Sequence, residues 1–283
     1  MKNKGIYMII MSAFCFAVMN MFVKLAGDIP SIQKSFFRNL IAVFIALIIL
    51  KRSGYGFHIE KKNIPLLLAR AICGTIGIIA NFYAVDHLFL SDASIIQKLS
   101  PFFVIIFSFF LLKEKVSKLQ VFSIVVAFIG TLFVVKPSFQ NTQLTASFIA
   151  MIGAMGAGAA YTCVRMLSQR GVKGPQIVFY FSAFSCLCVV PYLIVNYHPM
   201  TFQQTLFLIL AGISAAGGQF SVTAAYSAAA GRDISIFDYS QVVFAAVLGF
   251  IAFGQVPDAF SLVGYLIIFG ITLFMYLHSR QKQ

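Results

Sequence analysis

Apolar residues dominate ten long stretches of this chain, and the polar connections between them are short. A helix of ~20 residues rises ~30 Å, which is the thickness of the hydrocarbon core of a bilayer. The pattern therefore predicts an all-α integral membrane protein with ten transmembrane helices. The predicted helices span residues 5–24, 32–50, 64–85, 91–112, 118–136, 146–166, 175–196, 203–227, 234–253 and 259–278.

The fourth stretch differs from a plain membrane anchor, because Lys98 and Pro101 interrupt its apolar run. Proline has no backbone N–H, so the carbonyl of Gln97 loses its helical partner. A lysine beside an unpaired carbonyl is costly in hydrocarbon unless both groups face protein or water. We therefore predict that this stretch forms the wall of a polar site.

Composition excludes a soluble protein and argues against nucleic acid as a partner. Hydrophobic residues fill 60% of the 283 positions, charged residues 10%, and the mean hydropathy is +0.92. A soluble domain of this size has no core large enough for so much apolar surface. The net charge of +13 is scattered through the gaps between apolar stretches, where positive residues report topology. The expected surroundings are a lipid bilayer.

Lysines and arginines fall unequally on the two sides of the predicted helices. One side holds fifteen of the 21, whereas the other holds Lys24, Lys34 and Lys136. Cytoplasmic loops carry the excess of positive residues. We expect a multi-pass protein of the cell (inner) membrane with both termini in the cytoplasm.

The sequence lacks the usual signs of catalysis, metal binding and ATP use. The five cysteines lie inside apolar stretches and the four histidines lie near stretch ends, so neither set has ligand-like spacing. No Walker-type glycine-rich loop occurs. We therefore expect no enzyme activity, no metal site and no cofactor.

Short matches recur at a nearly constant distance along the chain. Asn20–Lys24 precedes Tyr161–Arg165 by 141 residues, and Leu99–Pro101 precedes Tyr239–Gln241 by 140 residues. A constant offset indicates an internal duplication.

Each half of the duplication contains five predicted helices, at residues 1–137 and 138–283. Because five is odd, the second half enters the membrane from the opposite side. The predicted architecture is thus two inverted five-helix repeats, which is frequent among secondary transporters.

Several motifs make the sequence resemble a known family of transporters. These motifs are Lys98-Leu-Ser-Pro-Phe102, Leu112-Lys-Glu-Lys-Val116, Ile129-Gly130, Asp238-Tyr-Ser-Gln-Val-Val243, Phe253-Gly-Gln-Val-Pro-Asp258 and Gly264. With them the chain resembles the ten-helix EamA-type branch of the drug/metabolite transporter superfamily. The resemblance implies a central cavity between four helices of each half, with the fifth and tenth helices at the periphery. It also implies movement of small organic solutes by alternating access.

Charged residues inside the predicted helices are the first candidates for a binding site. Lys98 lies ~9 Å from its helix end, where it could contact an anion, carry a coupled proton or form a structural ion pair. Asp238 is the equivalent position in the second half, ~6 Å from the other surface. Their depths would differ by ~15 Å, which predicts opposite ends of one cavity rather than a direct pair. Arg38 is favoured for anion binding, whereas Arg70 is expected to snorkel to the lipid headgroups.

Polar residues at moderate depth complete the candidate site. They could line a cavity or form hydrogen bonds between helices. They are Asn20, Asn81, Tyr83, Gln97, Tyr161, Gln219, Tyr226, Tyr239 and Gln241.

Glycine and alanine cluster in the sixth and eighth predicted helices, at Gly153–Ala160 and Gly212–Gly218. Small residues let helix backbones approach closely, so these clusters predict tight packing between helices.

The combined pattern predicts a secondary transporter for a small polar organic metabolite, such as an amino acid, an organic acid or a nucleotide-like solute. Buried positive residues outnumber the one clearly intramembrane acid, Asp238, which favours a carboxylate or phosphate on the substrate. A proton, with Lys98 or Asp238 as its carrier, or an exchanged solute would be the coupled partner. The alternatives are a membrane enzyme and a passive channel. Lys98→Gln is expected to reduce transport strongly and to leave folding intact.

Overall fold

The computed structural model of the chain describes residues 2–112, 117–135, 143–228 and 237–281, and these ranges contain no strand. The domain boundary predicted at residues 137 and 138 lies outside them, as does the Lys113–Val116 part of the family motif. The helices are α1 (Lys2–Leu25), α2 (Ser31–Ser53), α3 (Ile64–His87), α4 (Leu90–Gln97), α5 (Ser100–Leu112), α6 (Lys118–Val135), α7 (Leu144–Gln169), α8 (Gly174–Asn196), α9 (Phe202–Ala228), α10 (Ser240–Phe253) and α11 (Ala259–Gln281).

Seven spans among the described residues are long and apolar enough to cross a membrane, and three further apolar helices are shorter. The seven are Gly5–Leu25, Ser31–Ser53, Lys61–His87, Leu90–Leu111, Leu144–Gln169, Gly174–Asn196 and Phe202–Ala225. The shorter helices are Val121–Phe133, Ser240–Phe253 and Ala259–Ile271. The all-α membrane fold is thereby confirmed, and the count of ten crossings stays a prediction.

Large apolar side chains cover the outside of the helix bundle. Phe110, Ile194, Ile251 and Leu266 are each more than 60% exposed. A surface this apolar would aggregate in water and suits contact with lipid chains. Polar side chains instead point inward, which is the reverse of a soluble protein.

The fourth predicted helix, drawn as one helix over residues 91–112, is broken into two. Helix α4 ends at Gln97, and α5 begins at Ser100 with Pro101 in its first turn. Proline is tolerated there because the first N–H groups of a helix have no intrahelical acceptor. The break leaves Lys98 and Leu99 between two short helices, deep in the bundle, where both are buried.

Helices of the two halves pack mainly in four pairs. Helix α1 packs against α9, α3 against α7, α2 against α8, and α6 against α11. The α3–α7 pair is especially close: a Cβ added to Gly156 would lie 2.8 Å from the carbonyl oxygen of Cys73. The tight packing predicted for the glycine-rich cluster at Gly153–Ala160 is confirmed.

Candidate functional site

A cavity lies between α1, α2, α3 and the α4–α5 break of the first half and α7, α8, α9 and the start of α10. The cavity volume is about 90 Å³, and the cavity is open at its mouth. No described residue of α6 or α11 lines it, as the family resemblance implies for the peripheral helices. Its polar and charged lining residues are Asn20, Arg38, Arg70, Asn81, Gln97, Lys98, Ser100, Tyr161, Gln219, Asp238 and Gln241.

Nine of the twelve predicted site residues line this cavity, and Tyr83 and Tyr239 do not. The ring of Tyr83 stacks on His87, with 4.1 Å between ring centroids, outside the lining. Tyr239 is buried but is not among the lining residues. Tyr226 lies in α9, but its side chain is outside the described part of the chain.

Lys98 and Asp238 form a direct ion pair, so the prediction that they lie at opposite ends of the cavity is wrong. The Nζ atom of Lys98 is 2.7 Å from Oδ2 of Asp238. The predicted helix began at residue 234, which put Asp238 near a membrane surface. Helix α10 begins only at Ser240 and has 14 residues, too few to cross ~30 Å of hydrocarbon. Its N-terminal end therefore lies deep in the bundle, level with the break after α4.

Tyr239 stabilises this break rather than lining the cavity. The interruption of the helix means that the N–H of Phe102 bonds to the carbonyl of Leu99 and not to that of Lys98. The hydroxyl of Tyr239 donates to the Lys98 carbonyl oxygen at 2.9 Å. The residue that follows Asp238 thereby satisfies a buried carbonyl, and this bond joins the start of α10 to the break between α4 and α5.

Arg70 faces the cavity, so the prediction that it snorkels to headgroups is wrong. Its residue is only 2% exposed, and its guanidinium carbon lies 4.0 Å from the centroid of the Phe181 ring on α8. Gly74, one turn further along α3, makes room for this position. A Cβ there would collide with both the Arg70 guanidinium and Phe181. Glycine and an aromatic ring from another helix thus direct the side chain inward.

Arg38 approaches the same aromatic ring from α2. Its guanidinium carbon lies 5.9 Å from the Phe181 centroid, and its Nη1 donates to Oδ1 of Asn39 at 2.5 Å. The Asn39 amide in turn donates to the hydroxyl of Ser185 at 2.8 Å. Arg38 is therefore held by neutral groups.

The cavity carries more positive than negative charge. Asp238 is the one acid among the described lining residues, and it is already paired with Lys98. Neither Arg38 nor Arg70 makes an ion pair within the described part of the chain, and Nε of each is buried without a hydrogen-bond partner there. Two guanidinium groups with spare donors are suited to a carboxylate or a phosphate.

Amide groups line the wall near the charges. The Asn81 side-chain nitrogen donates to Oδ1 of Asn20 at 3.1 Å, linking α3 to α1. Gln219 and Gln241 are buried at the same cavity. Such groups can donate and accept, so they can orient a polar solute without adding charge.

Two parts of the site could not be found from sequence alone. Phe181 lies among 32 phenylalanines, and Gly74 is one of 20 glycines, so composition does not mark either one. The available signal was the pairing of Arg70 with a glycine four residues later, on the same face of a helix. With glycine at that spacing, the Arg70 side chain has room to lie along its own helix over Gly74.

Comparisons with known proteins identify the family. The profile of the EamA-like transporter family matches residues 3–136. The pseudopaline exporter CntI of Pseudomonas aeruginosa is 30% identical over 94% of this chain and 93% of its own length. A protein of Helicobacter pylori described as an uncharacterized transporter is 25% identical over 99% and 96%. Human solute carrier family 35 member G1 is 26% identical over 93% of this chain and 76% of its own.

A solved crystal structure supports the same fold. It covers 99% of both chains with a TM-score of 0.71 and 14% sequence identity, a likeness that concerns the fold alone. Together with the helical bundle and the full-length similarity to CntI, these matches identify the chain as a multi-pass membrane transporter of the EamA-like family, within the drug/metabolite transporter superfamily.

Proposed function

We propose that the protein is a secondary transporter that moves a small organic anion through the cavity by alternating access. The observation that carries this proposal is the presence of two buried guanidinium groups, Arg38 and Arg70, without a carboxylate partner among the described residues. Unpaired charges are costly inside a membrane protein and mark substrate pathways. A carboxylate or phosphate on the substrate would supply the missing partner.

The packing of the helices supports the inverted repeat. If α1, α2, α3, α4–α5 and α6 correspond to α7, α8, α9, α10 and α11, the α1–α9 contact becomes the α3–α7 contact. The α2–α8 and α6–α11 pairs become themselves. All four main pairs of the bundle thus fit a two-fold relation between the halves. Inverted repeats of this kind exchange conformations during alternating access.

Two glutamines form hydrogen bonds at the two opposite ends of the α2–α8 helix pair. Near the start of α2, the Gln33 amide exchanges two hydrogen bonds of 2.9 Å with the backbone of His198. Near the start of α8, the Gln176 amide donates to the carbonyls of Gly56 and His58 at 3.2 and 3.3 Å. We call these contacts the Gln33 latch and the Gln176 latch. Equivalent contacts at both ends are what a two-fold related pair of gates would require.

The name of one relative suggests a direction of transport and a candidate solute. CntI of Pseudomonas aeruginosa is described as a pseudopaline exporter. Export is therefore the direction we propose first, and pseudopaline belongs among the solutes to be tested.

A coupled proton would be carried at the Lys98–Asp238 pair, since these are the buried titratable groups in direct contact at the cavity. Transport that does not change with an imposed pH gradient would exclude that coupling and favour exchange of one solute for another.

Counterflow in proteoliposomes tests the proposed function. Vesicles are loaded with pooled organic acids, amino acids, nucleotide metabolites or pseudopaline, and uptake of labelled members of each pool is followed. We expect saturable exchange of an anionic class, strongly reduced by Arg70→Gln. Arg52→Gln is the matched control, because Arg52 is an exposed arginine in the last turn of α2. Saturable exchange of neutral or cationic solutes alone would refute the proposal, and non-saturable flux would indicate a channel.

A further inference from the structure

We propose that the transported solute carries two negative charges, and that the Arg38–Phe181–Arg70 arrangement selects it by charge. This inference rests on the proposed function and narrows its substrate class from anions in general to divalent anions. The arrangement, called here the guanidinium pair, consists of the two arginines and the Phe181 ring that both approach.

The charge balance of the cavity indicates that the solute carries two negative charges. Lys98 and Asp238 compensate each other at 2.7 Å, which leaves Arg38 and Arg70 as the uncompensated charges among the described lining residues. A closed, dehydrated cavity with a net charge of two would be strongly disfavoured. A solute with a single negative charge removes half of that charge, whereas a divalent anion removes all of it.

The geometry brings both guanidinium groups to one place. They share the Phe181 ring, at 4.0 Å for Arg70 and 5.9 Å for Arg38, although they come from different helices. Two like charges approach one another in a buried site only when something holds them there. Gly74 and Phe181 hold Arg70, and the Asn39–Ser185 hydrogen bonds hold Arg38.

The guanidinium pair and the Lys98–Asp238 ion pair are formed by residues of different segments of the chain. Both arginines belong to α2 and α3, whereas the corresponding helices α8 and α9 contain no lysine or arginine at all. Helix α8 of the second half contributes the aromatic ring of Phe181 and no cation. Both uncompensated cations therefore come from the first half of the chain and take no part in the ion pair, so an anion can approach them without breaking it.

Matched solutes that differ by one charge test this inference. Purified protein in detergent is titrated calorimetrically at pH 7.5 with succinate and monomethyl succinate, glutarate and monomethyl glutarate, and glycerol phosphate and its methyl diester. Each pair shares a carbon skeleton and differs in charge. We expect at least one divalent anion to bind with a Kd about tenfold or more below that of its monovalent partner.

Variants of the guanidinium pair should remove this preference and not merely weaken all binding. Arg70→Gln and Arg38→Gln should each lower the ratio of the two Kd values to about threefold or less while the monovalent partner still binds, which also shows that the variant is folded. Gly74→Ala retains both charges but displaces Arg70, and it should lower the ratio as well. Arg52→Gln should leave the ratio unchanged.

The outcomes separate this inference from the proposed function. If monovalent anions bind as tightly as divalent ones in every pair, or if no divalent anion binds, the charge-selection proposal is wrong. Transport of anions in the counterflow experiment could still stand in that case. If the neutral diamide succinamide binds as tightly as succinate, then binding of anions at this site is itself refuted.

Discussion

At the scale of single residues, the Lys98–Asp238 ion pair changes what a substitution at Lys98 should do. Both residues are buried, and the break between α4 and α5 meets the start of α10 at this contact. Removing one partner of a buried ion pair leaves the other charge uncompensated, which is more damaging than removing both. Because of this ion pair, we now expect Lys98→Gln to destabilise the fold, whereas the sequence alone predicted that folding would stay intact.

We predict that Lys98→Gln lowers the free energy of unfolding by about 3–5 kcal/mol, because Asp238 would remain buried without its cation. The double variant Lys98→Gln/Asp238→Asn should recover most of the loss, since neither charge then remains. Thermal unfolding of the purified variants in one detergent measures this. A double variant no more stable than Lys98→Gln would show that the pair contributes nothing as a pair.

At the scale of helices, the α3–α7 interface depends on small residues that allow the two backbones to approach. Gly77 and Gly153 are in mutual backbone contact range, since a Cβ on either would lie 3.3 Å from a backbone atom of the facing helix. Both helices also contribute residues to the cavity, Arg70 and Asn81 from one and Tyr161 from the other. Separation of this pair would thus change the cavity as well as the stability.

Gly156→Ala should lower stability by about 1–3 kcal/mol, the usual effect of overpacking, and reduce transport. The added Cβ would lie 2.8 Å from the Cys73 carbonyl oxygen, and a backbone atom cannot turn aside as a side chain can. Gly270→Ala on α11 is the control, because a Cβ there meets nothing within 4 Å. Melting temperatures in detergent should fall for the first substitution and not for the second. Equal melting temperatures would mean that α3 and α7 can move apart without loss.

At the scale of the whole molecule, the two glutamine latches suggest how opening at the two ends could alternate. Gln33 is fully buried, and its bonds join the first half of the chain to the loop that follows α8. Gln176 joins the second half to the loop that follows α2. Because α2 and α8 run in opposite directions, each latch lies at one end of the bundle. Opening of either end by separation of the halves would require the latch there to release.

Gln33→Ala and Gln176→Ala should therefore shift the conformational equilibrium in opposite directions. Spin-label distances can be measured between Asp28→Cys and Tyr197→Cys at one end, and between Lys61→Cys and Gln169→Cys at the other, in a background without native cysteines. All four positions are exposed. We expect Gln33→Ala to lengthen the first distance and Gln176→Ala the second. Changes of the same sign at both ends in both variants would identify the latches as general stabilising contacts instead.

The amino-acid sequence by itself determined the features that depend on local pattern. Apolar stretches of membrane length predict an all-α membrane fold, Pro101 predicts a lost helical hydrogen bond in the fourth stretch, and the glycine-rich cluster at Gly153–Ala160 predicts a surface for close helix packing. These follow from hydrocarbon thickness, a missing N–H and missing Cβ atoms, none of which needs a partner from elsewhere in the chain.

Only the tertiary structure decided where the charges meet. The depth of Asp238 depends on α10 being a short helix that begins inside the bundle, and the inward course of Arg70 depends on Gly74 together with Phe181 from α8. Both are consequences of how helices distant in sequence pack against each other. The spacing of apolar residues along the chain does not show how distant helices pack. Most of the residues that line the cavity could therefore be predicted from the sequence, whereas the pairing of their charges could not.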